Sequence, residues 1–434
     1  MNRPISPPPT KRRKLSPNQE SPEAQPPCST PTPNPDDSIL RVYSWNINGI
    51  TPFLPASQKP ITSFFTTKTA SPISNKNTSG TVVKDSLHHV SLREFLRRHK
   101  WPQILCLQEV KIAHSDIKTQ NLVRAAVNPS RRGKSPTLEA GDPEEEEGEG
   151  DEGPRYTVHF TLPTDKHNAR GPGGTGKVYG VCGILRHDIS QSSTLRVRDV
   201  DWDHEGRISI IEICLSNLRK PHHNDDDSPQ KSSTTTVPTP TARKGEKLAI
   251  WNIYAVNGTS NIWRDPKTGQ VKGTRHDKKL DMHKRMMREC RAMSASGYRI
   301  LIIGDLNIAP QRIDGFPNLR MYPMQHCINR ADFNKRFLGK GDGEVGEDGG
   351  EGREDGEGWE GVDIWRHLHG QERKYTYHPR GVEWGSNCDR VDLAIASRSM
   401  VENGEVVGAE IWDSEVERGP SDHVPISVDI RFRT

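Results

Sequence analysis

Five short apolar runs in this chain end on a carboxylate or an amide, and that pattern limits the architecture more than any other feature. Ile39-Leu40-Arg41-Val42-Tyr43 alternates as a strand does. It runs into Ser44-Trp45-Asn46-Ile47-Asn48-Gly49-Ile50, where two amides stand one residue apart before a glycine that can turn the chain. The design returns in Ile104-Leu105-Cys106-Leu107-Gln108-Glu109 and in Ala249-Ile250-Trp251-Asn252-Ile253-Tyr254, which leads to Asn257. It returns again in Ile300-Leu301-Ile302-Ile303-Gly304-Asp305-Leu306-Asn307 and in Gly419-Pro420-Ser421-Asp422-His423. Groups at the carboxyl ends of strands are where α/β proteins assemble their chemistry. One polar strand end carries little information, whereas five in one chain look like those of a metal-dependent phosphodiesterase.

A length of 434 residues permits two or three domains, but the composition argues for one. Only 31% of residues are hydrophobic, and the polar material falls into discrete blocks. Residues 1–38 are Pro/Ser-rich without apolar periodicity and are expected to be a disordered tail. Further inserts are expected near 51–86, 129–154, 218–246 and 339–361. The remainder, about 280 residues, suits one large α/β domain within 39–434. Residues 139–152 carry a charge of −9 and residues 339–361 a charge of −7, so without these blocks the net +4 becomes +20. A surplus of that size suits a phosphate-rich partner such as DNA. The seven cysteines are scattered, which argues against a zinc ribbon or a disulfide framework and for a reducing compartment. No apolar run reaches membrane-spanning length. Lys11, Arg12, Arg13 and Lys14 form a basic run in the tail, read as a nuclear import signal.

Leu92–His99 is expected to be helical, with Leu92, Phe95 and Leu96 on one face, ahead of a strand at 104–108. Residues 179–185, 194–200 and 207–215 are expected as strands. Arg275–Ala295 is expected as a long helix whose methionine-rich stripe packs into the core. Tyr375–His378, Val391–Ala396 and Val424–Ile430 complete a strand-rich second half. Alternating strands and helices predict two packed sheets with helices outside.

The segments Trp-Asn-Ile-Asn-Gly, Leu-Gln-Glu-Val-Lys, Gly-Asp-Leu-Asn and Ser-Asp-His, in that order, resemble the exonuclease III-type AP endonucleases of the endonuclease/exonuclease/phosphatase superfamily. The resemblance runs from about Arg41 to Arg431 and is greatest to the eukaryotic AP endonuclease 2 branch. It implies a four-layer α/β sandwich built from two halves. It also implies magnesium, with manganese able to substitute, as the cofactor. The implied activity is hydrolysis of phosphodiesters 5′ to abasic sites and trimming of blocked or mismatched 3′ ends, by a monomer acting on double-stranded DNA in the nucleus.

Phosphodiester hydrolysis needs a cation to neutralise charge, a base to activate water and donors for the transition state. Magnesium prefers oxygen ligands and keeps several waters. Glu109 is therefore the leading metal ligand, with an amide oxygen from Asn46 beside it. Asp305, at the rim of a buried strand, suits a general base. Asn307, two residues on, is expected on the same side of an extended strand, its amide donating to a phosphate oxygen. His423 suits a histidinium clamp held in one tautomer by Asp392, and Asp422 a ligand to metal or to water. The resemblance also admits Asp305, Asn307 and His423 to the metal's surroundings. Tyr254 and Asn257 are expected to face the phosphate, Asn48 to support the metal shell, and Lys111 to reach either a DNA phosphate or Glu109. Relatives that cut abasic sites efficiently carry an aromatic residue where this chain has Asp389, although Tyr377 still offers a ring. That departure tilts the expectation towards 3′-end trimming. The branch often carries a C-terminal zinc-binding module, expected to be missing here because only eleven residues follow His423.

Within the first insert, Gln58, Ile61, Phe64 and Phe65 resemble the peptide by which repair enzymes bind the sliding clamp, proliferating cell nuclear antigen. One helical turn would place Ile61, Phe64 and Phe65 on one face to fill a hydrophobic pocket. Two rival readings are a catalytically weak scaffold for DNA and clamp, and a superfamily phosphatase acting on a phosphodiester other than DNA.

Overall fold

In the computed structural model, residues 38–54, 91–128, 153–168, 179–190, 195–214, 247–339 and 358–431 are described. The chain divides into a unit Met1–Pro35, which lies outside those residues, and a unit Asp36–Thr434. The basic run at 11–14, the clamp-like segment at 58–65 and the acidic block at 139–152 also lie outside the described residues.

The first half of the chain forms β1 (Ile39–Asn46), α1 (Leu92–Arg98), β2 (Ile104–Gln108), α2 (Ile117–Ala126), β3 (Tyr156–Thr161), β4 (Val181–Arg186), α3 (His187–Ser190), β5 (Arg196–Asp199) and β6 (Ile208–Cys214). The second half opens with β7 (Lys247–Tyr254), β8 (Ile262–Arg264), β9 (Val271–Thr274), α4 (Arg275–Ala295), β10 (Tyr298–Asp305), β11 (Gly315–Phe316), α5 (Gln325–Phe333) and β12 (Gly361–Asp363). It closes with α6 (Ile364–His369), β13 (Cys388–Asp389), β14 (Asp392–Ser397), α7 (Arg398–Glu402), β15 (Val406–Ile411), α8 (Glu415–Arg418) and β16 (Ile426–Arg431).

Two six-stranded sheets result, in the orders β15-β16-β1-β2-β4-β3 and β12-β14-β10-β7-β6-β5. In each sheet one central pair is parallel, β1 with β2 and β7 with β10. The central strands are apolar on both faces because both faces are covered. Val42, Cys106, Ile250, Leu301 and Val428 meet in the core between the sheets. Their neighbours along the strands point outward. Tyr43, Trp45 and Leu105 pack under Leu92, Phe95 and Leu96 of α1, while Trp251, Ile300 and Ile302 pack under Met282, Met286 and Met287 of α4. This is the expected sandwich of two sheets flanked by helices. Replacing Leu301 with Ala would cost about 2–5 kcal/mol, since no neighbour at such a site can collapse fully into the gap.

Helix α4 begins where expected. The Thr274 hydroxyl accepts from the Asp277 N–H and the Asp277 carboxylate accepts from the Thr274 N–H, a reciprocal cap. Its methionine stripe is core, as the periodicity predicts. A buried amide pair ties the sheets together: the Gln108 Nε2 donates to Asn252 Oδ1 (2.8 Å) and to Ser44 Oγ (2.8 Å). Wrong registers between the sheets would strand these groups without partners, so the pair selects one.

Several boundaries differ from expectation. Thr51–Phe53 forms a helical turn rather than the start of an insert, because the buried Phe53 ring packs edge-on against Trp45 at 5.0 Å. Likewise Trp359 is buried and Gly361 opens β12, so the folded chain resumes before residue 361. Tyr375–His378 is not a strand. Only Tyr377 pairs, bridging Asp389 and His423, and the Thr376 hydroxyl accepts from the Val391 and Asp392 N–H groups instead. Strand β3 and the β8–β9 hairpin were not anticipated. No described helix is long and apolar enough to cross a membrane.

Candidate active site

Strand register alone brings most of the expected residues to one rim. In the second sheet Asp305 pairs with Tyr254 on one side and with Asp392 on the other. In the first sheet Asn46 pairs with Gln108, so Glu109 follows directly beside it. The two rims meet where Asn46 Nδ2 donates to Asp305 Oδ2 at 3.0 Å. The Gly-Pro-Ser-Asp-His loop is fastened there by Ser421, whose hydroxyl donates to Asn46 O (2.6 Å) and accepts from the His423 N–H (3.1 Å). Trp45 Nε1 donates to His423 O and completes the attachment. One pocket is lined by Asn46, Asn48, Glu109, Tyr254, Asn257, Asp305, Asn307, Tyr377, Asp422 and His423.

The backbone is distorted where these side chains are presented. Asn48, Glu109, Lys111 and Asn307 all have φ between 50° and 55°, a region that costs an ordinary side chain on the order of 1 kcal/mol. Gly304 is required for a different reason. With φ +142°, a Cβ there would lie 2.1 Å from the Ile253 carbonyl oxygen, so only glycine lets β10 deliver Asp305 beside β7.

Asp305 is almost fully buried and receives the Asn307 N–H (2.8 Å), the Asn307 amide (3.1 Å) and the Asn46 amide. Burial, reinforced by the nearby Asp392 and moderated by His423, pushes its carboxyl up to about 7. His423 Nδ1 lies 2.7 Å from Asp392 Oδ2. Burial opposes the imidazolium, but Asp392 outweighs it, helped by Asp305 and Asp422, and raises the ring to about 10. The pair therefore sits as a histidinium between carboxylates, next to a carboxyl poised near neutrality. The Tyr254 phenol is driven upward by burial and by the neighbouring Glu109, so it stays protonated and can donate.

Two groups of residues could hold a cation. Asp305, Asp392 and His423 each offer an atom within 4.8 Å of one another. However, His423 gives Nδ1 to Asp392 and keeps its proton through neutrality, so this cluster is already internally compensated. The better fit is across the pocket. Glu109 brings a carboxylate and Asn46 an amide oxygen, and Asp422 has a buried Oδ1 with no partner among the described residues. An oxygen set with one or two carboxylates matches a hard divalent cation.

One expectation changes. Asn307 does not continue a strand. It closes an Asx-type turn, and its NH2 donates to Ala255 O (3.0 Å) and Asp305, so it braces the carboxylate. Lys111 lies at Glu109 (3.2 Å), one of its two expected partners, and at Asn48, both the carbonyl (3.2 Å) and the side-chain oxygen. Asp392 lies behind His423, against its ring nitrogen, the partner expected for it. Asp389 does line the pocket, facing the same space as Tyr377.

Sequence reasoning missed the support beneath Tyr254. Arg207 is buried, stacks over the Tyr254 ring at 4.8 Å and the Tyr179 ring at 3.8 Å, and donates to the Tyr254 and Ala255 carbonyls. Glu205 orients it at 2.6 Å and takes two further bonds from Arg275. The signal was the charged pair Glu205-Gly206-Arg207 opening an apolar strand, where charges are costly unless paired. Gly206 has φ +67°, and a Cβ there would meet the Leu162 backbone at 2.6 Å. Also missed were Arg320 and Arg330, which add positive charge to the pocket wall, and His326 between them, which burial and those arginines push down to about 4 and so keep neutral.

The model of the Endonuclease/Exonuclease/phosphatase family matches residues 43–423. No curated protein matches the chain. Among solved structures, the chain is similar to the Xenopus laevis APE2 catalytic domain, at 15% identity and a TM-score of 0.50, covering 91% of this chain and 94% of that one. It is also similar to an AP endonuclease from Archaeoglobus fulgidus (16% identity, TM-score 0.46, 90% and 98% covered). A third is the 3′ phosphatase NExo from Neisseria, bound to a product DNA hairpin (12% identity, TM-score 0.45, 91% and 100% covered). At these identities the likeness concerns the fold.

Proposed function

The chain belongs to the Endonuclease/Exonuclease/phosphatase family, and from that premise we propose that it is a magnesium-dependent DNA repair nuclease. It hydrolyses the phosphodiester 5′ to abasic sites and trims blocked or mismatched 3′ ends, as an enzyme of the exonuclease III and AP endonuclease 2 kind. One observation carries the reading. A carboxyl near neutrality, a histidinium, a protonated phenol and an oxygen-only cation site share one pocket, walled by arginines and set in a chain with a strong positive surplus.

Glu109, Asn46 and Asp422 would hold the cation, which when bound supplies charge neutralisation at the phosphate. Asp305 takes the proton from the attacking water, a task suited to a base whose own proton affinity lies near the working pH. Asn46 and Asn307 fix the carboxylate's orientation, so little reorganisation accompanies the transfer. His423 places its Nε2–H at a phosphate oxygen as negative charge grows, and Asp392 keeps the ring charged. Tyr254 donates from the opposite wall, its ring held flat by Arg207. Asp389 puts a carboxylate in the wall shared with Tyr377, which disfavours a snug apolar sugar pocket and tilts the balance towards 3′ ends.

We also propose nuclear import through Lys11–Lys14 and docking of the sliding clamp on Gln58, Ile61, Phe64 and Phe65. The test of the activity compares a duplex carrying an internal abasic site with one carrying a 3′-blocked nick, each with magnesium or chelator. Cleavage of either with magnesium only, lost in Asp305→Ala by ~10²-fold or more with DNA affinity kept, is the expected result. Hydrolysis of inositol phosphates with neither duplex cut would overturn it.

A further inference from the structure

Five large apolar side chains stand exposed along one stretch beyond the catalytic strand end. Tyr322 is 88% exposed, Met324 65%, Met321 60%, Ile328 50% and Phe316 38%. Such residues are ordinarily turned inward, and a contiguous exposed group marks a contact surface. This one is continuous with the pocket, since Leu319 and Arg320 line the pocket and Met321 and Tyr322 follow directly. Met324 and Ile328 are four apart at the start of α5, hence on one face.

The patch is braced. Arg330 donates through Nε to Ala309 O (2.8 Å) and through Nη2 to Arg320 O (2.7 Å), and its Nη1 lies 3.7 Å from the Met321 sulfur. Arg320 and Arg330 face the pocket while the apolar side chains face solvent beside it. Cations at the pocket and flat or soft apolar groups one residue away match a nucleotide, which carries an anionic phosphate and an aromatic base at similar separation. Aromatic and methionine side chains next to arginines are suited to bases that have left the stack.

We propose that Met321, Tyr322 and Met324 form a stacking platform for an unpaired nucleobase beside the scissile phosphate, so that the substrate class favoured is DNA with a frayed or mismatched strand end. This rests on the nuclease reading above. The charge complementarity at Arg320 and Arg330 commits the patch to nucleic acid rather than to a protein partner.

The test uses the full chain, wild type and Tyr322→Ser, with a duplex ending in one unpaired 3′ nucleotide and a fully paired duplex of the same sequence. A fluorescent 2-aminopurine occupies the unpaired position, and a phosphorothioate at the scissile linkage slows hydrolysis. The wild type should bind the frayed duplex more tightly than the paired one and change the base's fluorescence. Tyr322→Ser should lose about fivefold to a hundredfold in affinity for the frayed duplex only. Met324→Ser should show the same selective loss to a smaller degree. A wild type that cuts DNA while both variants bind the two duplexes as it does would overturn the platform and leave the nuclease reading standing. Absence of cleavage by the wild type would remove both. Self-association of the wild type, lost in Tyr322→Ser with DNA binding unchanged, would assign the patch to a second copy and also overturn the proposal.

Discussion

Replacing Asp392 with Asn tests the electrostatic core of the site with a nearly isosteric change. The carboxylate is buried, lies 2.7 Å from His423 Nδ1 and sits opposite Asp305 in the strand register. The gap between His423 at about 10 and its ordinary 6.5 corresponds to about 5 kcal/mol in favour of the imidazolium. A buried hydrogen bond to a charged group supplies about 1.5–3 kcal/mol of this, which is about 1–2 pH units. The charge of Asp392 adds to that bond, and Asp305 and Asp422 contribute less. The sign follows: a group raised in the folded enzyme keeps its proton below that value and loses it as pH climbs through it. The basic limb of kcat/KM, set by His423, should therefore drop from near 10 to about 9 or below in Asp392→Asn. At pH 9 the loss from protonation alone is then at least about twofold. The acidic limb should move down too, because Asp392 also raises Asp305. The assay is kcat/KM against pH on a duplex with a 3′-blocked nick at saturating magnesium, with thermal melting as a folding control. A uniformly lower profile with both limbs in place would refute the reasoning and leave Asp392 a merely steric support.

Glu109→Ala should raise the magnesium concentration needed for half-maximal activity about tenfold or more, and an unchanged magnesium titration would remove it from the cation site. Glu205 predicts acid sensitivity: burial opposes its ionisation, but Arg207 and Arg275 bring its carboxyl down to about 2. A depressed acid stabilises fully above its unfolded value of about 4.5, and that contribution, on the order of 3 kcal/mol, should disappear as pH falls from 4.5 towards 2. Urea midpoints should therefore fall more steeply with acid in the wild type than in Glu205→Gln; parallel curves would count against it. Phe64→Ala with Phe65→Ala should abolish clamp binding in calorimetry, removing burial worth on the order of 3–6 kcal/mol, and leave cleavage of a short duplex intact. A drop in melting temperature instead would mean that the rings pack on the domain.

Much of this protein is determined locally. Apolar runs over β1, β2, β7 and β10, each buried on both faces, could be read because period and length leave few alternatives, and α4 could be read from its stripe. The polar strand ends were visible for the same reason, since a carboxylate closing an apolar run needs a purpose. What the tertiary structure alone decided is how those ends meet. Strand register sets Asp305 between Tyr254 and Asp392, and the stacking of two sheets brings Asn46 to Asp305 across 259 positions of sequence. No local pattern encodes that Asn307 turns back on Asp305, that Lys111 folds onto Asn48 as well as Glu109, or that Arg207 lies beneath Tyr254. Those contacts depend on which groups burial leaves without water. A buried polar atom takes whichever partner the packed strands present, and that choice exists only once the sheets have closed.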